Sequence, residues 1–146
     1  ESRDYDKWVA YGQSKTANIL FSVELDRRLA ASGVRAIAVH PGMIMTELAR
    51  YLTPADIQDL MSRAAPGDSP PSFKTVEAGA ATSVWAATSD SLENRGGLYC
   101  ENCHVAEPAT DDDSISGVAA YALNSESARR LWTLSEGWVG EEFALS

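Results

Sequence analysis

The stretch that decides the fold is residues 34–42, which read VRAIAVHPG. The middle of this run is apolar without interruption, and Pro41-Gly42 closes it with a turn signal. A continuous short apolar run is typical of a parallel strand that is buried on both faces. The run therefore predicts a buried strand from Val34 to His40.

The segment before this strand has the pattern of one long helix, from Trp8 to about Ala31. Apolar residues recur along it at roughly helical spacing, and its charged residues supply a polar side: Glu24, Asp26, Arg27 and Arg28. Gly33 stands where a left-handed C-terminal cap is expected. A helix, a short turn and a buried strand in succession are a signature of α/β proteins.

The rest of the chain continues with short elements. Thr53 before Pro54 is typical of an N-cap followed by proline at the first helical position. The predicted elements are helices at Met43–Arg50 and Pro54–Ala64, a loop at Pro66–Pro71, a helix from Ser72 or Thr75 to about Thr88, a turn and strand at Arg95–Cys100, an acidic loop at Asp111–Asp113, and a helix from Ser125, its cap, to about Gly137.

The 146 residues contain no linker and no internal repeat, so one domain over residues 1–146 is expected. There are 12 Lys and Arg against 21 Asp and Glu, a net charge of −9. Such a surface repels phosphate backbones and anionic lipids, which argues against nucleic acid and membrane surfaces as partners. No apolar run is long enough to span a bilayer, and we expect the charged residues to form a solvated surface.

The N-terminal residues and the cysteines indicate the compartment in which the protein is expected. The chain begins without Met in a charged stretch that lacks the apolar core of a signal peptide, so we expect a cut chain rather than a natural start. Two cysteines do not suggest a disulfide scaffold, and a reducing, cytoplasmic compartment is the expectation.

The chemistry is concentrated in Tyr11 and Lys15, four residues apart on the predicted helix. This spacing puts both side chains on one helix face, one turn apart. An ammonium within roughly 4–6 Å of a phenol favours the phenolate and lowers its pKa from about 10 toward neutral pH. A tyrosine in that setting can donate a proton to a carbonyl oxygen or remove it in the reverse reaction. The pair alone is a common pattern, and an ordinary exposed helix pair is the alternative.

Four segments give this pair a context. They are AYGQSKTAN at residues 10–18, IAVHPG at residues 37–42 with Thr46 beyond it, TVEAGAAT at residues 75–82, and Gly97-Leu98-Tyr99. In this order and spacing they resemble the short-chain dehydrogenase/reductase superfamily, and within it the retinol-dehydrogenase-like and WW-domain-oxidoreductase-like branch. The likeness extends from about Asp4 to Tyr99.

The resemblance implies a fold, a cofactor and a role for each matching residue. The fold would be the C-terminal part of a Rossmann-type, doubly wound parallel sheet with flanking helices. The cofactor would be NAD or NADP, with Tyr11 as general acid/base and Lys15 as its activator and a ligand of the nicotinamide ribose. Pro41 and Gly42 would form the turn at the carboxyl end of the strand, next to the nicotinamide. Thr46 would bond the carboxamide or a phosphate.

The resemblance also implies a small-molecule alcohol or carbonyl substrate. The segment from Met43 to about Pro71 corresponds to the variable substrate-binding region of the family, and its many apolar residues suit a hydrophobic substrate. Helices that only pack on the body of the protein are an equally good explanation. In the family the Tyr/Lys helix often contributes to a dimer interface, so a homo-oligomer is compatible with a full-length parent.

The sequence departs from the family where the dinucleotide would be gripped. It contains no G-x-G-x-x-G, no Asn-Ala-Gly-type motif and no catalytic Ser; Ser2 stands too close to Tyr11 to be that residue. We expect these elements upstream, so that this chain is the C-terminal half and is inactive alone, with strand 34–40 presenting an open edge. The alternative is a truncated, catalytically inactive relative that acts as an interaction module.

The string Cys100-Glu101-Asn102-Cys103-His104 has the C-x-x-C-H spacing of a haem attachment site. Haem would require export and an axial partner, which the rest of the sequence does not favour. Zinc held by Cys100, Cys103 and His104 would need a fourth ligand. A loop with incidental thiols remains the favoured interpretation, and no metal site is predicted.

Overall fold

A computed structural model describes residues 4–62, 73–109 and 116–144. The predicted loops at Pro66–Pro71 and Asp111–Asp113 lie outside the described residues. The helices and strands are α1 (Lys7–Leu29), β1 (Ile37–His40), α2 (Pro54–Ser62), α3 (Val76–Thr88), β2 (Leu98–Glu101), β3 (His104–Val105) and α4 (Ser125–Val139). Single 3₁₀ turns occur at Ala30–Ser32, Glu47–Tyr51, Asp90–Leu92 and Ala120–Leu123. The α/β class is confirmed.

Helix α1 has both of its ends capped. The Asp6 side chain accepts hydrogen bonds from the backbone N–H groups of Trp8 and Val9, each at 2.8 Å. At the other end the 3₁₀ turn leads to Gly33 at φ 75°, whose N–H donates to the Ala30 carbonyl. This left-handed cap is the one that the sequence predicts.

The sheet has three strands in the order β1-β2-β3. Strands β2 and β3 form an antiparallel hairpin in which Cys100 pairs with Val105 and Glu101 with His104. Its two loop residues, Asn102 and Cys103, have φ of 47° and 58°. Positive φ at both central residues is the geometry of a two-residue type I′ hairpin. The sequence analysis did not predict β3.

Strand β1 differs from its prediction in length and in burial. It begins at Ile37 because the Val34 N–H donates to the Leu29 carbonyl and the Ala36 N–H donates to the Asp26 carboxylate. All four residues of β1 are half-buried, so the prediction of burial on both faces is wrong for this chain. The reason is position: β1 is an edge strand of the described sheet, and the open edge was expected.

The helix predicted at Met43–Arg50 is also wrong. Ile44 instead forms a parallel bridge with Lys74, whose N–H donates to the Met43 carbonyl at 2.8 Å. Only the 3₁₀ turn Glu47–Tyr51 follows. A distant segment therefore takes the backbone bonds that a local helix would have used.

The predicted N-cap was right at α2 and wrong at α4, and at α3 the cap is one of the residues at which the helix was expected to start. Thr53 and Asp56 exchange side chain to backbone bonds at the start of α2, and the Thr75 side chain accepts from the Ala78 N–H before α3. At α4 the cap is Asn124, whose side chain accepts from the Ser127 N–H at 2.8 Å. Ser125, the predicted cap, is the first residue inside the helix.

The described chain divides into two compact units. The first comprises residues 4–38, 92–98 and 120–144, and the second comprises residues 39–62, 73–91, 99–109 and 116–119. The core of the first lies between α1 and α4, where the Phe21 and Trp132 rings stack at 5.5 Å. Buried residues of the second include Cys100, Ala106 and Val118. In the part of the chain that the structure describes, no helix combines the length and the apolar character that crossing a membrane requires.

Candidate functional site

Tyr11 and Lys15 lie in the first half of α1, and both side chains are exposed. The Lys15 Nζ stands 5.0 Å from the centroid of the Tyr11 ring, so the ammonium lies next to the aromatic ring as the four-residue spacing implies. Tyr11 keeps 50 % of its surface exposed, which leaves it accessible to a ligand. The structure therefore brings a phenol and an ammonium together on an open helix face.

Local structure explains why this face is open. The Asp6 cap starts α1 just upstream, so Tyr11 falls in the second helical turn with its backbone fully inside the helix. Gly12 follows, and a Cβ atom placed there would meet no heavy atom within 4 Å. The helix surface at Gly12, next to Tyr11 in the chain, is therefore open.

Pro41 and Gly42 follow β1 directly, in irregular backbone at the place of the predicted Pro41-Gly42 turn. Gly42 has φ 92°, a backbone conformation that residues with a side chain rarely adopt. A Cβ at Gly42 would also lie 2.7–3.0 Å from the Cε, Cδ and Nζ atoms of Lys74. Glycine is thus required here both by its φ angle and by the lysine side chain that lies against it.

Thr46 stands just before the 3₁₀ turn Glu47–Tyr51, and its residue is exposed. It shares the second unit with Pro41 and Gly42, whereas Tyr11 and Lys15 belong to the first. The structure thus places the five predicted site residues in two groups, each within its own unit.

The residue before the turn, His40, is half-buried, and its ring stacks on Tyr99 with the centroids 6.5 Å apart. Burial lowers the pKa of His40, the nearby Glu101 carboxylate opposes that shift, and the Lys74 ammonium adds to it. The imidazole is therefore mostly neutral at neutral pH. Lys74, whose side chain lies against Gly42, brings a positive charge to this turn.

Sequence reasoning missed two residues of this region. Lys74 lies against Gly42, and its Nζ donates to Asn102 Oδ1 at 2.6 Å, in the hairpin loop 28 residues after Lys74. Nothing in the sequence near Lys74 signals this contact. The Asn102-Cys103 pair does carry a signal, because asparagine favours the left-handed backbone of a tight hairpin.

The residues of the C-x-x-C-H string lie in the two strands and the loop of that hairpin. Cys100 is buried, whereas Cys103 and His104 are exposed. The Cys103 N–H donates to Thr82 Oγ1 at 3.3 Å. Within residues 4–62, 73–109 and 116–144, no three His, Cys, Asp or Glu side chains are grouped so as to hold a metal ion.

Comparison with known proteins gives these residues a context. Residues 2–56 match the family model described as short chain dehydrogenase. A Streptomyces lividans protein named "Probable oxidoreductase" is 43 % identical over 143 residues, which cover 92 % of this chain and 48 % of that protein. The Penicillium rubens protein named short-chain dehydrogenase/reductase prx1 is 34 % identical, covering 90 % of this chain and 38 % of the relative.

Two further matches agree. The human WW domain-containing oxidoreductase is 37 % identical, covering 94 % of this chain and 30 % of that protein. A crystal structure of an uncharacterized protein from Mycobacterium paratuberculosis superposes with a TM-score of 0.58 at 32 % identity, covering 99 % of this chain and 44 % of the other. The chain spans about half, or less, of the length of the relatives that it matches.

Proposed function

Since the chain belongs to the short-chain dehydrogenase family of oxidoreductases, we propose that its full-length gene product uses NAD or NADP to interconvert an alcohol and a carbonyl compound. Tyr11 is the general acid/base, and Lys15 is its partner. The observation that supports this most directly is the Lys15 ammonium 5.0 Å from the centroid of an exposed Tyr11 ring.

The residues present suit the nicotinamide end of the cofactor. Lys15 is exposed and can donate to ribose hydroxyls, the turn at Pro41-Gly42 offers backbone groups, and exposed Thr46 offers a hydroxyl. Pro41 is exposed too, so a ligand can reach this turn. When bound, the dinucleotide supplies or accepts a hydride at its nicotinamide ring. No glycine-rich phosphate loop occurs in this sequence, so these residues account only for the nicotinamide end.

The proton step follows from Tyr11 alone. In the reduction direction the Tyr11 hydroxyl donates its proton to the carbonyl oxygen as the carbonyl carbon is reduced, and in oxidation the same oxygen takes the proton back. The Lys15 ammonium beside the ring favours the negative charge that develops on the phenol oxygen. The exposed ring face gives the substrate access.

A hydrophobic substrate is supported by the segment after the turn. Met45, Tyr51 and Phe73 flank α2 and expose 55 %, 82 % and 43 % of their surfaces. These residues precede and follow α2 in the sequence, and exposed apolar and aromatic side chains suit contact with an apolar ligand. We propose a small alcohol, aldehyde or ketone with a substantial apolar part.

The proposal also covers the cellular compartment, the oligomeric state and the activity of this chain by itself. Both cysteines are free, which suits a reducing, cytoplasmic compartment. We place the activity in the full-length gene product, with this chain inactive alone, and a homo-oligomer of that product is compatible with the family. Size-exclusion chromatography with light scattering measures the oligomeric state directly.

The deciding experiment is turnover of NADH or NADPH by the full-length gene product with a panel of apolar aldehydes and ketones, followed by absorbance. Tyr11→Phe should lower kcat about 10²- to 10⁴-fold, the usual contribution of a general acid. Tyr5→Phe removes the same hydroxyl from another exposed tyrosine and is the matched control. Lys15→Met should also be impaired, whereas Lys7→Met, which alters another exposed lysine of α1, should not.

Three outcomes are informative. Turnover that Tyr11→Phe abolishes while Tyr5→Phe preserves it supports the proposal. Dinucleotide binding without turnover on any substrate would favour the interaction module over the enzyme. Absence of dinucleotide binding would show that the cofactor assignment is wrong.

A further inference from the structure

Lys74 spans the gap between the turn after β1 and the β2–β3 hairpin. We propose that it is a positioning residue, whose side chain holds the Pro41-Gly42 turn in the geometry needed to receive the nicotinamide. This inference rests on the proposed function for its purpose. The contacts from which we argue the inference are present in the structure whether or not the protein is active.

The first contact is steric. The Cδ, Cε and Nζ atoms of Lys74 lie 2.7–3.0 Å from the position that a Cβ would take on Gly42. The lysine side chain therefore fills the side of Gly42 where another residue would carry its own side chain. Gly42 adopts φ 92° and has no side chain of its own to restrict the backbone at that position. Lys74 supplies that restriction from outside.

The second contact is made by the backbone of the same residue. The Lys74 N–H donates to the Met43 carbonyl at 2.8 Å, within a parallel bridge between Ile44 and Lys74. This bridge brings the backbone of Lys74 beside the residues that follow Gly42. One residue thus holds the turn by its main chain and by its side chain.

The third contact fixes the far end of the side chain. Lys74 Nζ donates to Asn102 Oδ1 at 2.6 Å. Asn102 stands in the hairpin loop at φ 47°, and the next residue, Cys103, donates its N–H to Thr82 Oγ1 on α3. Thr82 is only 1 % exposed, so the acceptor for this bond is held inside the unit. The Lys74 ammonium is therefore bonded to a hairpin loop that is in turn bonded to α3.

The charges around the lysine fit a structural role for the ammonium. His40 is mostly neutral, because burial and the Lys74 charge lower its pKa, and the buried Glu101 carboxylate is the nearby anion. Glu101 Oε1 already accepts bonds from Ser116 Oγ and the Gly117 N–H, both at 2.8 Å. Lys74 bonds the neutral amide of Asn102, and this bond orients the ammonium.

The consequence for the reaction is geometric. Hydride transfer depends on the position of the nicotinamide to within about 1 Å, and misplacement on that scale can lower the rate about a hundredfold. A turn that has lost the lysine support would still bind the cofactor but would hold it less well. We therefore expect an effect on kcat that is larger than the effect on KM.

The test uses Lys74→Met, Lys74→Arg, Asn102→Ala and the double variant Lys74→Met/Asn102→Ala in the full-length gene product. Amide hydrogen exchange in the peptide that covers residues 41–46 should accelerate about tenfold or more in Lys74→Met, and Lys74→Arg should restore part of the protection. The kcat of Lys74→Met should fall about tenfold, with KM for the dinucleotide changed far less. The double variant should be no worse than Lys74→Met, because both single changes break one link.

The outcomes separate this inference from the proposed function. Accelerated exchange with an unchanged kcat would make Lys74 a structural residue only and overturn the positioning role. Unchanged exchange in Lys74→Met, or fully additive losses in the double variant, would overturn the link itself. If the wild type neither binds dinucleotide nor turns over substrate, the proposed function fails, and the positioning role of Lys74 in the reaction fails with it. The hydrogen-exchange result still shows whether Lys74 holds the turn.

Discussion

Both halves of α1 carry polar and charged residues, and the two halves use them differently. In the first half, Tyr11 and Lys15 are exposed, and their contact lies on an open face. In the second half, Glu24 and Asp26 are 1 % and 7 % exposed, although both are acids. The sequence pattern predicts a solvated polar side in the second half, and for these two acids this prediction is wrong.

Each buried acid has cationic partners that account for its position. Glu24 accepts from Arg27 at 2.6 and 2.7 Å and from Arg28 at 2.8 Å. The Arg28 guanidinium also lies 4.5 Å from the centroid of the Trp132 ring on α4, over its face. A buried carboxylate is tolerated when its hydrogen bonds and its charge are matched, and here they are.

Asp26 makes a second arrangement of this kind. Its carboxylate accepts two bonds from the Arg35 guanidinium, at 2.9 and 2.7 Å, and one from the Ala36 N–H at 3.0 Å. These bonds join the end of α1 to the residues that lead into β1. The comparison therefore separates two uses of charge in one helix: the exposed pair is available for chemistry, and the buried acids determine how the chain leaves the helix.

The largest stability effect is expected at Asp26. Asp26→Asn should lower the free energy of unfolding by about 2 to 3 kcal/mol at neutral pH, because it leaves a partly buried Arg35 without its anion. Urea unfolding followed by circular dichroism measures the change. Asp90→Asn, at an exposed acid, is the matched control. Tyr11→Phe should leave the unfolding midpoint unchanged, and an effect there as large as that of Asp26→Asn would break the comparison.

A smaller effect is expected at Gly96, which packs against the same ion pair. A Cβ at Gly96 would overlap the Asp26 carboxylate and lie 2.9 Å from Arg35 Nε. Gly96→Ala should therefore cost about 2 kcal/mol of stability. Gly137→Ala provides the contrast, since nothing lies within 4 Å of its Cβ position inside α4, and alanine there should stabilise by about 0.5 to 1 kcal/mol. In thermal unfolding, Tm should fall in Gly96→Ala and rise in Gly137→Ala. Equal Tm shifts in the two variants would mean that the Asp26 side chain is not held in place.

The smallest effect concerns pH and Glu24. Bonds from Arg27, and then from Arg28, hold the pKa of Glu24 below its ordinary value of 4.5, against the opposing effect of burial. A depressed carboxyl pKa means that the stabilisation is present above pH 4.5 and is lost as pH falls through the lower, folded-state value. Glu24→Gln should cost about 1 to 2 kcal/mol at neutral pH and less in acid. Unfolding free energies measured from pH 7 to pH 3 test this, and a difference that is independent of pH would contradict it.

Local sequence information was sufficient for much of the fold. The bounds of α1, its glycine cap, the cap of α2 at Thr53 and the strand at Ile37–His40 depend on residues near one another in the chain, and these predictions hold within a few residues. The Tyr11–Lys15 contact is of the same kind, because helical geometry alone brings residues four apart together.

The errors occur where distant segments compete with local ones. The helix predicted at Met43–Arg50 gives way to a bridge with Lys74, some thirty residues away. The cap of α4 is Asn124 and not Ser125, a shift of one residue. Such a shift is possible because two capping residues follow one another in the sequence. The role of Lys74 could not have been predicted, because no periodicity or spacing encodes a contact with Asn102.

By itself, the sequence determined the class of the fold, the family and the placement of Tyr11 and Lys15 on one helix face, since each depends on short-range patterns and on motif order. Only the tertiary structure decided which charges are exposed and which are buried. The arginines that pair with Glu24 and Asp26 are near them in the chain, but spacing alone does not say that these acids are buried. Helix α4 packs against α1 and brings the Trp132 ring against Arg28, and this contact joins residues far apart in the sequence, where residue spacing carries no information.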